Sequence, residues 1–181
     1  MSILQKYVPY DKSILWKIHD AYFEHRGIAA WKEGDIPHYS TNNYPMARQH
    51  ARFCISVIES LIKRKELPSE GPIYLLEIGS GVGTFVVNFI KAMQKECGKK
   101  GETLLQRIKY IFSDYSKISV SEAVQQPKLQ KLVDAGILIP AIFDLCNPSK
   151  ICDLHGTPLD VELTMIISNY VCCVAPVRQF L

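Results

Sequence analysis

The sequence predicts an α/β fold: about four parallel strands with helices on the sheet, preceded by a helical N-terminal segment. Three observations carry this expectation. Short apolar runs recur at 73–78, 108–113, 137–143 and 163–168, with helical or loop stretches between them. Each run stops at polar or turn-forming residues, namely Gly79, Asp114, Asp144 and Asn169. The first run passes directly into Gly79-Ser80-Gly81-Val82-Gly83 and then into a helical pattern, a strand–turn–helix signature.

Taken in order, Asp11 can cap a first helix, whose Ile14, Leu15, Ile18, Ala21 and Tyr22 form one apolar stripe expected to face a core. Gly27 and Gly34 break up the next stretch, and a loop rich in turn formers runs from Gly34 to Asn43. Asn43 is a plausible cap for a helix opened by Tyr44-Pro45, since proline suits a first turn. Ala47, His50, Ala51, Cys54, Val57, Ile58, Leu61 and Ile62 supply its buried face. Lys63-Arg64-Lys65 closes it, where cations complement the helix dipole. Pro68 to Pro72 marks the clearest boundary, dividing a helical segment (1–70) from the strand-bearing domain (71–181).

Beyond the boundary, a strand over 73–78 precedes a helix from Thr84 to roughly Glu96, with Phe85, Val86, Phe89, Ile90 and Met93 inward. Gly98 to Gly101 reads as a lysine-rich loop. The second strand ends in Asp114; a helical stretch opens near Ser121 and is interrupted at Pro127. The third strand ends in Asp144 and the fourth in Asn169.

Composition excludes several classes of function. A net charge of +3 with scattered basic residues does not argue for nucleic acid. No stretch approaches the roughly 18 apolar residues of a membrane span, and Met1 to Tyr10 carries no secretory signal. Cysteines at 54, 97, 146, 152, 172 and 173 form no CxxC pair, so they read as reduced thiols in a cytoplasmic compartment. The histidines lack zinc spacing, and no metal site is expected.

The glycine turn is the informative segment. Alternate glycines let a ligand approach the backbone closely, and the helix that follows offers unpaired N–H groups. A dinucleotide fingerprint would place its third glycine where Thr84 sits, and a Walker A loop would need a Gly-Lys-Ser/Thr that is absent. Glu77, two residues before Gly79, would repel a pyrophosphate. S-adenosylmethionine has no phosphate but carries a sulfonium and an ammonium, which a nearby carboxylate tolerates. A turn that binds nothing is the bland alternative.

Glu77-Ile78-Gly79-Ser80-Gly81-Val82-Gly83 resembles motif I of the class I (Rossmann-like) methyltransferases. The resemblance implies S-adenosylmethionine as cofactor, with Glu77, Gly79, Ser80, Gly81 and Gly83 around it. It also implies that Asp114 receives the ribose hydroxyls, with Tyr115 beside the adenine, and that Asp144 accepts from the adenine amino group, with Leu145 next to it. Asn169-Tyr170 resembles motif IV, which faces the methionine moiety and the transferred methyl; Tyr170 is the candidate nearest the reacting centre. Each acid taken alone is equally a solvated loop residue or a helix cap. Within the class, Asn169-Tyr170-Val171-Cys172-Cys173-Val174-Ala175-Pro176-Val177 is similar to the MidA-type pattern at Asn169, Pro176 and Val177, while 170 and 173 depart from its acids. The Gly34–Asn42 loop resembles the segment that closes over the cofactor in that family.

A complete class I core has seven strands, so the resemblance implies a sheet truncated after the fourth. Its exposed edge would then be covered by the rest of a longer protein, by a second copy or by another partner. Cys172-Cys173 reads as a buried apolar pair ahead of a redox pair. Trp16, Trp31 and Tyr39 read as core aromatics ahead of a substrate mouth, and Arg48 and Arg52 as an exposed helix face ahead of a carboxylate site. The function expected is that of an S-adenosylmethionine-dependent methyltransferase, or the cofactor-binding part of one, acting on an unidentified small-molecule or protein acceptor. A non-catalytic binding or assembly module is the alternative, and a nicotinamide oxidoreductase a weaker one.

Overall fold

Four strands, β1 (Ile73–Ile78), β2 (Ile108–Asp114), β3 (Leu138–Ile142) and β4 (Leu163–Ser168), form one parallel sheet in the order β3-β2-β1-β4. The computed structural model describes residues 4–37, 39–145, 147–169 and 171. Six α-helices accompany the sheet among these residues: α1 (Ile14–Arg26), α2 (Ala29–Lys32), α3 (Tyr44–Lys63), α4 (Thr84–Arg107), α5 (Lys117–Val124) and α6 (Pro127–Asp134). The chain thus adopts the predicted α/β class, with the order shared by the first four strands of a doubly wound, Rossmann-like sheet.

The handedness of parallel crossovers explains how the layers are filled. From β1 to β2 to β3 the chain moves in one direction across the sheet, so right-handed connections put α4, α5 and α6 on the same face. Leu75, Tyr110 and Phe112 of that face join Phe89 and Met93 of α4 in one core cluster. The α3 residues Ala47, Ala51, Cys54 and Ile58, all fully buried, complete the layer by packing over α4. The step from β3 to β4 reverses direction across the sheet, which sends residues 143–162 over the opposite face. No helix forms there among the described residues. Leu76, Ile78, Ile111, Ala141 and Phe143 make a smaller cluster, covered by partly buried residues such as Ile151 and Leu159.

Several boundaries differ from the sequence expectations. The apolar stripe expected to bury α1 faces outward: Ile14, Leu15 and Ile18 are 37%, 52% and 48% exposed, while Phe23 is buried with Trp16 and His19 half-buried. The reason is where α1 lies. It packs on α2 and α5 rather than on the sheet, so a narrow aromatic stripe is enough to seat it. Its cap is Ser13, whose hydroxyl accepts from the Leu15 N–H, and not Asp11. The short α2 falls in a stretch expected to be irregular.

Helix α4 runs through Gly98 and Gly101 to Arg107 instead of stopping near Glu96. Two mid-helix glycines cost about 1 kcal/mol each. That cost is offset by Leu105 returning to the core and by Arg107, which donates to the carbonyls of Gly71 and Pro68 at 2.8 Å each. Ser116, not a residue near Ser121, caps α5, and Pro127 opens α6 rather than interrupting a helix. Arg48 and Arg52 both reach Glu96, so this pair of surface arginines ties α3 to α4. Asn43 caps α3 as predicted, accepting from the Met46 N–H at 3.0 Å.

Candidate cofactor site

In the strand order β3-β2-β1-β4, growth of the sheet switches direction between β1 and β4, and ligands of doubly wound folds sit outside the strand ends at that point. Gly79 follows β1 there and Asn169 follows β4. Gly79, Gly81 and Gly83 adopt φ of 68°, 54° and 77°, left-handed values that L side chains rarely take. Space is short as well. A side-chain carbon on Gly79 would collide with Val171, and one on Gly83 would lie 2.5 Å from Leu129 Cδ1.

The turn is held by its neighbours on β2. Ser80 N–H donates to the Ser113 carbonyl at 2.9 Å, and Ser113 N–H donates back to Ser80 Oγ at 3.1 Å. The Ser113 hydroxyl donates to the Glu77 carbonyl at 2.6 Å. This reciprocal clasp sets the loop against β2 with every group buried, which stiffens it before any ligand arrives. Gln126 adds a bond from Nε2 to the Val82 carbonyl at 3.0 Å. Ser113 was not anticipated as part of the site; a serine within an apolar strand gives no periodic signal.

Two carboxyl groups lie buried at adjacent strand ends. Glu77 is 5% exposed and Asp114 6%. Burial pushes the Glu77 carboxyl up to about 8; the hydroxyls of Tyr110 and Ser80 oppose the rise and Asp114 adds to it. Neither Glu77 Oε2 nor the Tyr110 hydroxyl makes a hydrogen bond of good geometry. Asp114 is also raised by burial, against the backbone N–H groups of Ser116, Gly81 and Tyr115 that favour its charge. Its Oδ1 accepts from Ser116 N–H at 3.1 Å.

The other sequence-derived candidates spread around this centre. Tyr115 is 41% exposed, its ring stacked 6.5 Å from His19 and edge-on to Phe23. Asp144 is exposed after β3, whereas Leu145 packs against the smaller cluster on the opposite face. Asn169 Nδ2 donates to the Thr41 carbonyl at 3.0 Å, tying the end of β4 to the loop before α3. Tyr170 lies outside the described residues, as do Cys172, Cys173, Pro176 and Val177.

The N-terminal elements are brought to the same rim by three side chains of the sheet domain. Besides Asn169, Asn88 of α4 donates to the Asn42 carbonyl at 2.9 Å, and Glu122 of α5 accepts from Ile28 N–H at 3.0 Å. Thr41 and Asn42, at the end of the loop before α3, are thereby held to the end of β4 and to α4. Among the described residues no group of His, Cys, Asp and Glu could hold a metal ion, and no helix is long and apolar enough to cross a membrane.

No family model and no curated protein matches the chain. Among solved structures it is similar to the SeMet-substituted CurJ carbon methyltransferase, at 21% identity and a TM-score of 0.34. The match covers 80% of this chain and 40% of that one, so this chain spans less than half the length of that protein. The α/β assignment made above stands on the sheet itself.

Proposed function

We propose that this chain is an S-adenosylmethionine-dependent methyltransferase, or the cofactor-binding part of one. One observation carries the reading: two buried carboxyls, Glu77 and Asp114, flank a pre-stiffened three-glycine turn at the switch point of the sheet. Buried carboxyls at such a rim suit a ligand that brings hydrogen-bond donors. The same pair offers a pyrophosphate no cationic partner, which disfavours a dinucleotide.

The residues fit the cofactor. The backbone of Gly79, Ser80, Gly81 and Gly83 would line it, with Glu77 towards its cationic end. Asp114 and Tyr115 would take the ribose and adenine, Asp144 and Leu145 the far edge of the base, and Asn169 the methionine end. When bound, the cofactor supplies an electrophilic methyl group on sulfur. The chain's own part is to bind, orient and exclude water, which the Ser80–Ser113 clasp and the adjoining N-terminal loop favour. The MidA-type likeness within this class rests here on Asn169 and the loop before α3. The acceptor, small molecule or protein, and a cytoplasmic setting belong to the proposal.

A second reading, a binding or assembly module without turnover, is favoured by one specific contact. The Asn169 amide is engaged by the Thr41 carbonyl and so is turned to holding the fold together. Calorimetric titration with S-adenosylmethionine and S-adenosylhomocysteine tests both readings, with Asp114→Ala as control. Micromolar binding that weakens at least tenfold in the variant is the expected outcome. No heat from a folded chain overturns the cofactor reading, while binding without methyl transfer to any acceptor supports the module.

A further inference from the structure

Helix α1 carries two stripes, and only one of them is engaged. Trp16, His19 and Phe23 form a run of ring contacts that reaches Tyr115 and Trp31. Turned away from them, Ile14, Leu15, Ile18, Ala21 and His25 are all exposed among the described residues. Single apolar residues scattered over a surface call for no explanation, but these are not scattered. Ile14, Ile18, Ala21 and His25 alternate in steps of four and three residues, which is the spacing of a seam between two helices. Leu15 and Tyr22 run along one flank of that seam, and Lys17 and Glu24 along the other. Lys17 and Glu24 are both exposed, and neither forms an ion pair among the described residues.

The charges on that flank select the occupant. When a helix pairs with a copy of itself in the antiparallel sense, equivalent flanks meet across the two-fold axis. Setting Ile18 against Ala21 of the copy then sets Ile14 against His25 and Leu15 against Tyr22, and brings Lys17 beside Glu24. The axis repeats each contact, so opposite charges close the seam twice on one side and apolar side chains close it twice on the other. The small Ala21 lets the two backbones approach at the centre. A parallel pairing would face Lys17 with Tyr22 and leave both charges unmatched. We propose that the outer face of α1 is a self-association surface, on which a second copy of this chain docks through its own α1, antiparallel and about a two-fold axis. The proposal does not depend on the cofactor reading.

The test is sedimentation velocity of the full chain from about 5 to 500 µM; one short helix per copy makes a small interface, so a dissociation constant on the order of 10–100 µM is expected. Ile18→Glu, at an exposed position, should keep the fold by circular dichroism and raise that constant about tenfold or more. Lys17→Glu and Glu24→Lys each place like charges opposite one another twice. Each alone should weaken the dimer about three- to tenfold at low salt, and the double swap should return it to within about twofold of wild type. A chain that stays monomeric throughout overturns the proposal and leaves the stripe to a different partner. A dimer that Ile18→Glu does not weaken forms through another surface, such as the edge of β4, and overturns it equally. Single charge variants that weaken the dimer without rescue by the double swap overturn the antiparallel pairing, and the proposal with it. If Ile18→Glu fails to fold, the charge swaps decide the matter.

Discussion

The two faces of the sheet are built to different standards. On one, Leu75, Tyr110 and Phe112 lie under α3, α4, α5 and α6, in a cluster whose largest members are fully buried. On the other, Leu76 and Ile111 are equally buried, but among the described residues they are covered by irregular chain such as Ile151, Leu159 and Val171 and by no helix. There an open, mostly apolar groove of about 620 Å³ runs past Leu76, Phe143, Leu159 and Ile166. Parallel sheets are ordinarily covered on both faces by helices. The contrast teaches that stability resides mainly on the helical face, while the site sits on the rim between the two and depends on neither face alone.

The comparison can be sharpened by substitution, beginning with the largest effect. Phe89→Ala, in the middle of the helical face, should cost about 3–5 kcal/mol in denaturant unfolding. A cost below about 1 kcal/mol would show that this face is not the principal core. On the rim, Gly83→Ala combines a left-handed backbone with a carbon placed 2.5 Å from Leu129 Cδ1, and should cost about 2–4 kcal/mol. Cofactor binding should weaken along with it. Chemical unfolding and titration of the same sample separate the two effects.

The third effect depends on pH. The Glu77 carboxyl titrates at about 8 in the folded chain against 4.5 ordinarily. The folded state therefore keeps a proton that the unfolded chain releases between those values. The stability so gained is whole below the lower value and is lost as pH rises through the upper one. Asp114 is raised as well and acts in the same direction. Unfolding at a series of pH values should show the wild-type chain losing about 4 kcal/mol between about pH 5 and pH 8.5, with a shallower slope in Glu77→Gln. Parallel slopes would mean that Glu77 is not the titrating group.

The smallest effect belongs to the thin face. Ile166 is 57% exposed, so Ile166→Ala should stay within about 0.5 kcal/mol in denaturant. A cost well above that would mean that something covers this face in solution.

How much could be read beforehand follows from the range of the interactions. The strand β1, the turn after it and the cap of α3 are local matters, decided by glycine, by short side chains bonding nearby backbone and by runs of apolar residues. They fell where the residues put them. The end of α4 did not: local propensity stops a helix at Gly98, but Leu105 and Arg107, several residues further on, recover the cost through the core and the linker. In α1, periodicity identified an apolar stripe but not its direction, because a helix at the rim buries whichever face meets its neighbours, here the aromatic one.

The sequence by itself determined the fold class, the strand positions and the presence of a glycine turn with an acid before it. Those properties depend on residues within one element and its immediate flanks. Only the tertiary structure decided that Glu77 and Asp114 are buried side by side, that Ser113 clasps Ser80, that Asn169 reaches Thr41 and that Trp31 covers Gly81. Such juxtapositions join residues as far apart as Thr41 and Asn169, and no period in a chain encodes a contact that appears only when separate elements are laid across one sheet.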